Sequence, residues 1–361
     1  MIFNFLLSKF IINKIIYIVF TLLLSYLIFF STIIAYGKTY SVDDIEIIEP
    51  YNLEFKKNKV IDKAFSSAFE MLLSNILSSK DLYKVKITKL NDIKTMVDSF
   101  SIKDEKFVDN NYIANFRVLF DKKKIINFLN LQNIISSSPI KNKIVFFPIL
   151  IDLNTNEIFM YKDNLFYNKW NTQINKKFLL DYSIPTEDLE DLQLIQKNIT
   201  NIENFNFDLI LKKYNSNEYI ICIFFKEKNN LKILSKINLN QNSSIVRTEI
   251  KNVDSMNKDS ELEIIKKLKI IYDDYWKSIN QINTSIRLSI TISLDSKNLN
   301  KIKMFEKELE FSDLVYDYRV EKMSNLNTIY KILYNGTPDK FINNFRQKFK
   351  LDISKNIWEL K

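Results

Sequence analysis

Three patterns place this chain in the α+β class. The first is strict alternation in Ile286, Leu288, Ile290, Ile292 and Leu294, separated by Arg287, Ser289, Thr291 and Ser293. Side chains of a strand point alternately to its two faces, so this spacing gives one apolar face and one polar face. The second is helical spacing, in Ala64, Phe65, Ala68, Phe69, Leu72, Leu73, Ile76 and Leu77 and again in Ile265, Leu268, Tyr272, Tyr275, Trp276 and Ile279. The third is a pair of almost wholly apolar stretches, residues 144–151 and 219–225. Strands buried on both faces read this way. The expected architecture is an N-terminal hydrophobic signal or anchor helix followed by small α/β modules.

Residues 15–37 carry no charged side chain, and about 20 such residues span a bilayer core as a helix. Lys9 and Lys14 precede the run, while Asp43, Asp44, Glu46 and Glu49 follow it. A basic flank stays in the cytoplasm, which predicts export of the remainder across the inner membrane. Ala35, Tyr36 and Gly37 form the small-x-small triplet that a signal peptidase requires, with cleavage before Lys38. The run is longer than an ordinary signal core, so a retained single-pass anchor stays open beside a cleaved signal. The expected location is accordingly periplasmic or membrane-anchored with a cytoplasmic N-terminus.

Beyond this helix the sequence divides into three modules. Residues 38–132 read as an α+β unit. It opens on an extended segment interrupted by Pro50, followed by the Ala64 to Leu77 helix and a helix near residues 92–100. A half-buried strand through Tyr112, Ala114, Phe116, Val118 and Phe120 comes next, and Asp121 caps a short closing helix. Residues 133–143 contain Ser136, Ser137, Ser138 and Pro139, the composition of a linker. Residues 144–281 read as a central α/β unit. Its strands include 144–151, 178–181 and 219–225, with helices expected at 204–214 and 259–280. Pro148 inside the first strand implies a bulge or a nearby edge. Residues 282–361 show the order β-α-β-β-α-β, that of a ferredoxin-like module, ending in a short strand at residues 357–360.

The 361-residue inventory excludes much familiar chemistry. There is no histidine, which removes imidazole bases, Ser-His-Asp systems and histidine metal sites. Cys222 is the single cysteine, so no internal disulfide, CxxC pair or thiolate zinc cage can form. Two glycines, Gly37 and Gly336, cannot build a phosphate-binding loop. No nucleotide or other cofactor is therefore expected. The net charge of +9 rests mostly on lysine. Runs such as Lys122-Lys123-Lys124 and Lys266-Lys267-Lys269 read as solvated faces, and export argues against a nucleic-acid partner.

Several stretches together resemble the bacterial exported family catalogued as domain of unknown function 2066. They are Ala64-Phe65-x-x-Ala68-Phe69, Phe116-x-Val118-x-Phe120-Asp121, Val145-Phe146-Phe147-Pro148, and Tyr334-x-Gly336 followed by Phe341, Phe345, Leu351 and Trp358-x-Leu360. Such motifs would cover most of the exported chain. The resemblance implies an envelope protein and supplies no catalytic residue.

With histidine absent, paired carboxylates remain as candidate chemistry. The densest group, Glu187, Asp188, Glu190 and Asp191, follows Pro185 and reads first as the acidic opening turn of a helix. Asp273-Asp274 reads as a solvated pair, and Cys222 as a small core residue. Trp170, Trp276 and Trp358 read as core rather than as a carbohydrate platform. Neither Ser78-Ser79-Lys80 nor Ser235-Lys236 forms the S-x-x-K spacing of serine–lysine enzymes. No catalytic, cofactor or metal residue is assigned. The expectation is a non-enzymatic bacterial envelope protein with an envelope protein partner; the alternative is a carboxylate-dependent hydrolase acting on a cell-wall or polysaccharide substrate.

Overall fold

The computed structural model describes residues 39–85, 87–172, 178–251, 258–284, 286–346 and 348–361. Residues 15–37, and with them the cleavage positions Ala35, Gly37 and Lys38, lie outside the described residues. No helix among the described residues is long and apolar enough to cross a membrane. They form a mixed α+β protein with three sheets and ten α-helices.

The first sheet contains β1 (Thr39–Pro50), β2 (Val97–Val108) and β3 (Asn111–Asp121), antiparallel in the order β1-β3-β2. Alternation in β3 buries Tyr112, Ala114, Phe116, Val118 and Phe120. Against them lies α1 (Lys57–Ile76), whose fully buried Ala64 and Ala68 let its backbone approach the sheet. Helices α2 (Ser79–Val85), α3 (Leu90–Met96) and α4 (Lys122–Asn130) complete the unit. The Asp121 carboxylate accepts the Lys124 N–H and caps α4, as its position predicts. The helix expected over residues 92–100 stops at Met96, because the chain from Val97 onward pairs along β3. Tertiary pairing overrides the local spacing there.

The central sheet contains β4 (Asn142–Asp152), β5 (Glu157–Phe159), β6 (Leu180–Ser183), β7 (Tyr219–Glu227), β8 (Asn230–Leu239) and β9 (Asn242–Ile250). Its order is β5-β4-β7-β8-β9, and β6 also pairs with β4. The two apolar stretches, β4 and β7, run parallel at its middle. Pro148 is tolerated in β4 for a geometric reason. β6 pairs with residues 142–145 and β5 with residues 150–152, so Pro148 falls in the gap where neither is a partner. Fully buried Asn164 fills that gap, donating to the Pro148 and Phe159 carbonyls and accepting the Phe166 N–H. Four helices accompany the sheet: α5 (Leu165–Lys169), α6 (Leu189–Lys197), α7 (Asp208–Leu211) and α8 (Lys258–Ile279). One face packs Phe146, Cys222 and Phe224 against Trp170 and α8, and the other packs Phe147, Ile149 and Ile223 against Ile195, Phe207 and Ile210. The helix expected over 204–214 shrinks to α7 and a following 3₁₀ turn, ended by Asn215 in the left-handed region.

The last unit contains β10 (Arg287–Asp295), α9 (Leu299–Phe311), β11 (Val315–Met323), β12 (Asn327–Asn335), α10 (Pro338–Arg346), β13 (Leu351–Asp352) and β14 (Trp358–Leu360). Its order is β11-β12-β10-β14-β13. The chain does not finish on one short strand after α10 but on a hairpin. β14 runs parallel to β10 and antiparallel to β13, and Asp352 ties the return by accepting from the Ser354 N–H and the Lys361 ammonium.

The serine-rich segment 133–143 connects the first two units, and Ser136, Ser137 and Ser138 are buried. Ser137 donates through N–H and Oγ to the Ile76 carbonyl at the end of α1. Ser138 N–H donates to Asn280, and Ser136 accepts from Ile282. A small hydroxylated residue suits position 137, where its short side chain finds a backbone carbonyl within reach.

Candidate functional site

The acidic turn is built at the start of α6. Asp188 is its N-cap and accepts the N–H groups of Glu190 and Asp191. Lys213, on the turn after α7, reaches Asp188 at 2.6 Å and buried Asp191 at 2.8 Å. The Lys213 hydrogen bond, together with the two N–H donors, holds the Asp188 carboxyl below the usual carboxylate range. Those acceptors in turn raise the Lys213 ammonium above its ordinary value. Beside them Tyr161 is buried with φ at 51°, and burial next to the two carboxylates pushes its phenol upward. Asp188 thus serves a cap and an ion pair, and Asp191 an ion pair through Oδ1, its buried Oδ2 having no hydrogen-bond partner among the described residues. Glu187 pairs at the surface with Lys162, and Glu190 points to solvent. Sequence spacing does not reveal Lys213 or Tyr161 as members of this cluster, since each is more than 20 residues from Asp188 and is brought in by the tertiary fold.

Asp273-Asp274 is the clearest correction. Expected to be solvated, it instead joins α8 to the first unit. Asp273 is 3 % exposed, accepts the Leu179 N–H at 2.8 Å and pairs with Lys277 at 2.7 Å. Lys277 also donates to the Ser74 carbonyl at 2.6 Å. Asp274 accepts both the N–H and the Oγ of Ser79, at 2.8 and 2.5 Å, and so caps the start of α2 from another unit. Ser79 is therefore a docking residue, and Ser78 caps locally through Asp81.

The lysine runs are corrected in part: Lys124, Lys266 and Lys267 are exposed as expected, whereas Lys122 and Lys269 are buried. Lys122 is buried and pairs with Asp313 at 2.8 Å, and Lys123 pairs with Asp317 at 3.0 Å, stitching α4 to the last unit. Lys124 donates to the Thr95 carbonyl. Lys269, likewise buried, donates to the Trp170 carbonyl and sits 5.6 and 5.5 Å from the rings of Trp170 and Tyr182. Burial pushes its ammonium below the ordinary lysine value.

The aromatic and thiol groups lie where their apolar neighbours predict. Trp170 and Trp276 are buried, and Trp358 packs its ring edge-on to Phe341. Cys222 is fully buried, with the Tyr272 hydroxyl at 3.3 Å and Ser235 Oγ at 3.8 Å. Ser235 and Tyr272 share a 2.7 Å hydrogen bond, and Lys236 turns away to the Phe205 carbonyl. Burial pushes the thiol up to about 12. Since the thiolate is the reactive form, Cys222 should resist a disulfide-exchange reagent in the folded chain and react fully only after denaturation. Absorbance titration with such a reagent checks this.

Two surface grooves stand out among the described residues. One, of about 390 Å³, lies between β1 and α1 and is lined by Glu46, Glu49, Asp62, Lys63, Ser66 and Leu90. The other, of about 600 Å³, is lined by Asn156, Glu157, Phe159, Asp163, Gln196 and Ile199. Neither contains the acidic turn, Cys222 or a tryptophan. No group of acidic or thiol side chains among the described residues is arranged to hold a metal ion. The chain matches no protein-family model, and no curated protein is significantly similar to it.

Proposed function

We propose that this chain is a non-enzymatic protein of the bacterial cell envelope, exported or tethered through residues 15–37, with a binding or assembly role toward an envelope protein partner. The observation that carries the reading is the uncharged apolar run, preceded by Lys9 and Lys14 and followed, after Lys38, by Asp43, Asp44, Glu46 and Glu49. The motifs that resemble the exported family argue for the same address. Support also comes from the commitment of the polar groups. Asp188 and Asp191 belong to a cap and an ion pair, Cys222 to a core, and Lys122 and Lys123 to contacts between units.

Cell fractionation with intact-mass measurement tests the proposal. An envelope species is expected, either soluble and beginning at Lys38 or membrane-bound and retaining Met1. A full-length cytosolic species would overturn it.

A further inference from the structure

The free edge of β9 differs from the other long sheet edges among the described residues. β1 carries Pro50 and a bulge holding Asp43 and Asp44. β2 has two register breaks and the run Lys103-Asp104-Glu105-Lys106. β11 has two breaks and Lys322. Pro, charge and bulges are the devices that keep sheet edges from pairing with other chains. β9 has no proline and no register break, and its two charges, Arg247 and Glu249, are of opposite sign. It follows β8 in unbroken register from Leu231↔Ile250 to Leu239↔Asn242, without proline or lysine. Val246, Thr248 and Ile250 stay half-buried on the α8 side, and Ile245 is 55 % exposed on the other.

The turn before β9 fixes which of its backbone groups are free. Asn240 and Gln241 have φ of 48° and 62°, the type I′ geometry of a two-residue hairpin. In such a hairpin the flanking residues, Leu239 and Asn242, bond to each other. Alternation then turns the even-numbered residues toward β8 and leaves the N–H and C=O groups of Ser243, Ile245, Arg247 and Glu249 facing outward. A two-fold partner must set odd residues opposite odd residues. Centred on Arg247, the pairing opposes two arginines; centred on Val246, it sets Ile245 against Arg247 and Ser243 against Glu249. Centred on Thr248, it sets Arg247 against Glu249 twice and Val246 against Ile250 twice. Opposite charges and apolar pairs directly across a strand pair are stabilising. In the isolated chain Arg247 leans on Glu203 at 3.5 Å, and Lys232 lies across from Glu249.

We propose that two copies of this chain pair antiparallel through β9, about a two-fold axis at Thr248. The inference deepens the assembly reading and takes its setting from it, but the register rests on the edge itself. A single strand pair buries less than the roughly 1,200 Å² at the lower end of stable interfaces. The dimer is therefore weak when dilute and is promoted where tethering to one membrane raises the local concentration.

Disulfide trapping of the full chain in liposomes tests the register. At a non-hydrogen-bonded position the facing Cα atoms lie about 4.5 Å apart, within disulfide reach. Thr248→Cys should therefore form a reducible dimer under mild oxidant, and buried Cys222 should not compete. Ser244→Cys, on the same face but about 26 Å from its counterpart in this register, should give about tenfold less dimer, taking the limit on disulfide reach as the discriminator. Added to Thr248→Cys, Arg247→Glu should lower trapping severalfold, and further adding Glu249→Arg should restore it. Equal trapping at 244 and 248, no trapping at either, or, when the same oxidation is run in cell envelopes, trapping of a different protein by Thr248→Cys would each overturn the proposal. In the last case the assembly reading survives, whereas a cytosolic address defeats that reading without touching the register.

Discussion

Replacing Asp273 with alanine is expected to cost about 3–5 kcal/mol of stability, the usual penalty for stranding one member of a buried ion pair. Three consequences combine. Lys277, 6 % exposed, loses the carboxylate 2.7 Å away, the Leu179 N–H loses its acceptor, and the grip of α8 on the Ser74 carbonyl loosens. Removing both charges with apolar side chains of similar size, as Asp273→Leu with Lys277→Met, should recover the part of the loss due to the stranded Lys277 charge, while the Leu179 N–H stays without its acceptor. The carboxyl itself carries this signature. Burial is the largest influence on it and raises it above the usual carboxylate range, against the opposing pull of Lys277 and the Leu179 N–H. A group whose folded value is raised contributes most below its ordinary value and loses that contribution as pH rises through the raised one. The double variant should therefore gain on the wild type as pH climbs through that window. Urea unfolding of the three proteins across the acid range measures both effects. Equal stability of Asp273→Ala and wild type at neutral pH would show that the pair is not buried as described.

That pair also marks where the sequence stops being readable. Side-chain periodicity recovered β3, β10 and the apolar stripe of α8, each of which buries one face, and unbroken apolar runs recovered β4 and β7, which bury both. Periodicity misread Lys269 and Asp273, which share an i, i+4 row with Lys277 beside that stripe. A row of charges on a helix reads as solvent until one knows what packs over it: Trp170 and Leu179 of the same unit meet Lys269 and Asp273, and Ser74 of the first unit meets Lys277. The row continues through Ile265 to Glu261, which is buried and paired with Lys169. The regular spacing of opposite charges was the available signal. Lys122 was hidden in the same way, since its partner Asp313 lies in a unit that local patterns cannot place. The acidic turn was legible as a helix start but not as a cluster, because Lys213 and Tyr161 reach it only through the fold.

Truncating Trp170 to alanine is expected to cost about 3–5 kcal/mol, the range for a large aromatic removed from a packed core. The side chain is fully buried, with its ring stacked on Phe146 at 3.7 Å and edge-on to Tyr182 at 5.4 Å. It also forms part of the seat of Lys269, whose ammonium bonds the Trp170 carbonyl and lies over the ring. Alanine keeps the carbonyl but removes the π face, so a desolvated cation loses one of the two rings beside it. Trp170→Phe separates packing from polarity. The indole Nε1 is buried with no hydrogen-bond partner among the described groups, so its loss should cost no bond, while the smaller ring keeps much of the stack on Phe146. Phenylalanine should therefore cost less than half of what alanine does. Thermal unfolding followed by near-ultraviolet circular dichroism compares them. A phenylalanine variant as damaged as the alanine one would mean that the Nε1 group, and not the stacked ring, anchors this face of the central sheet.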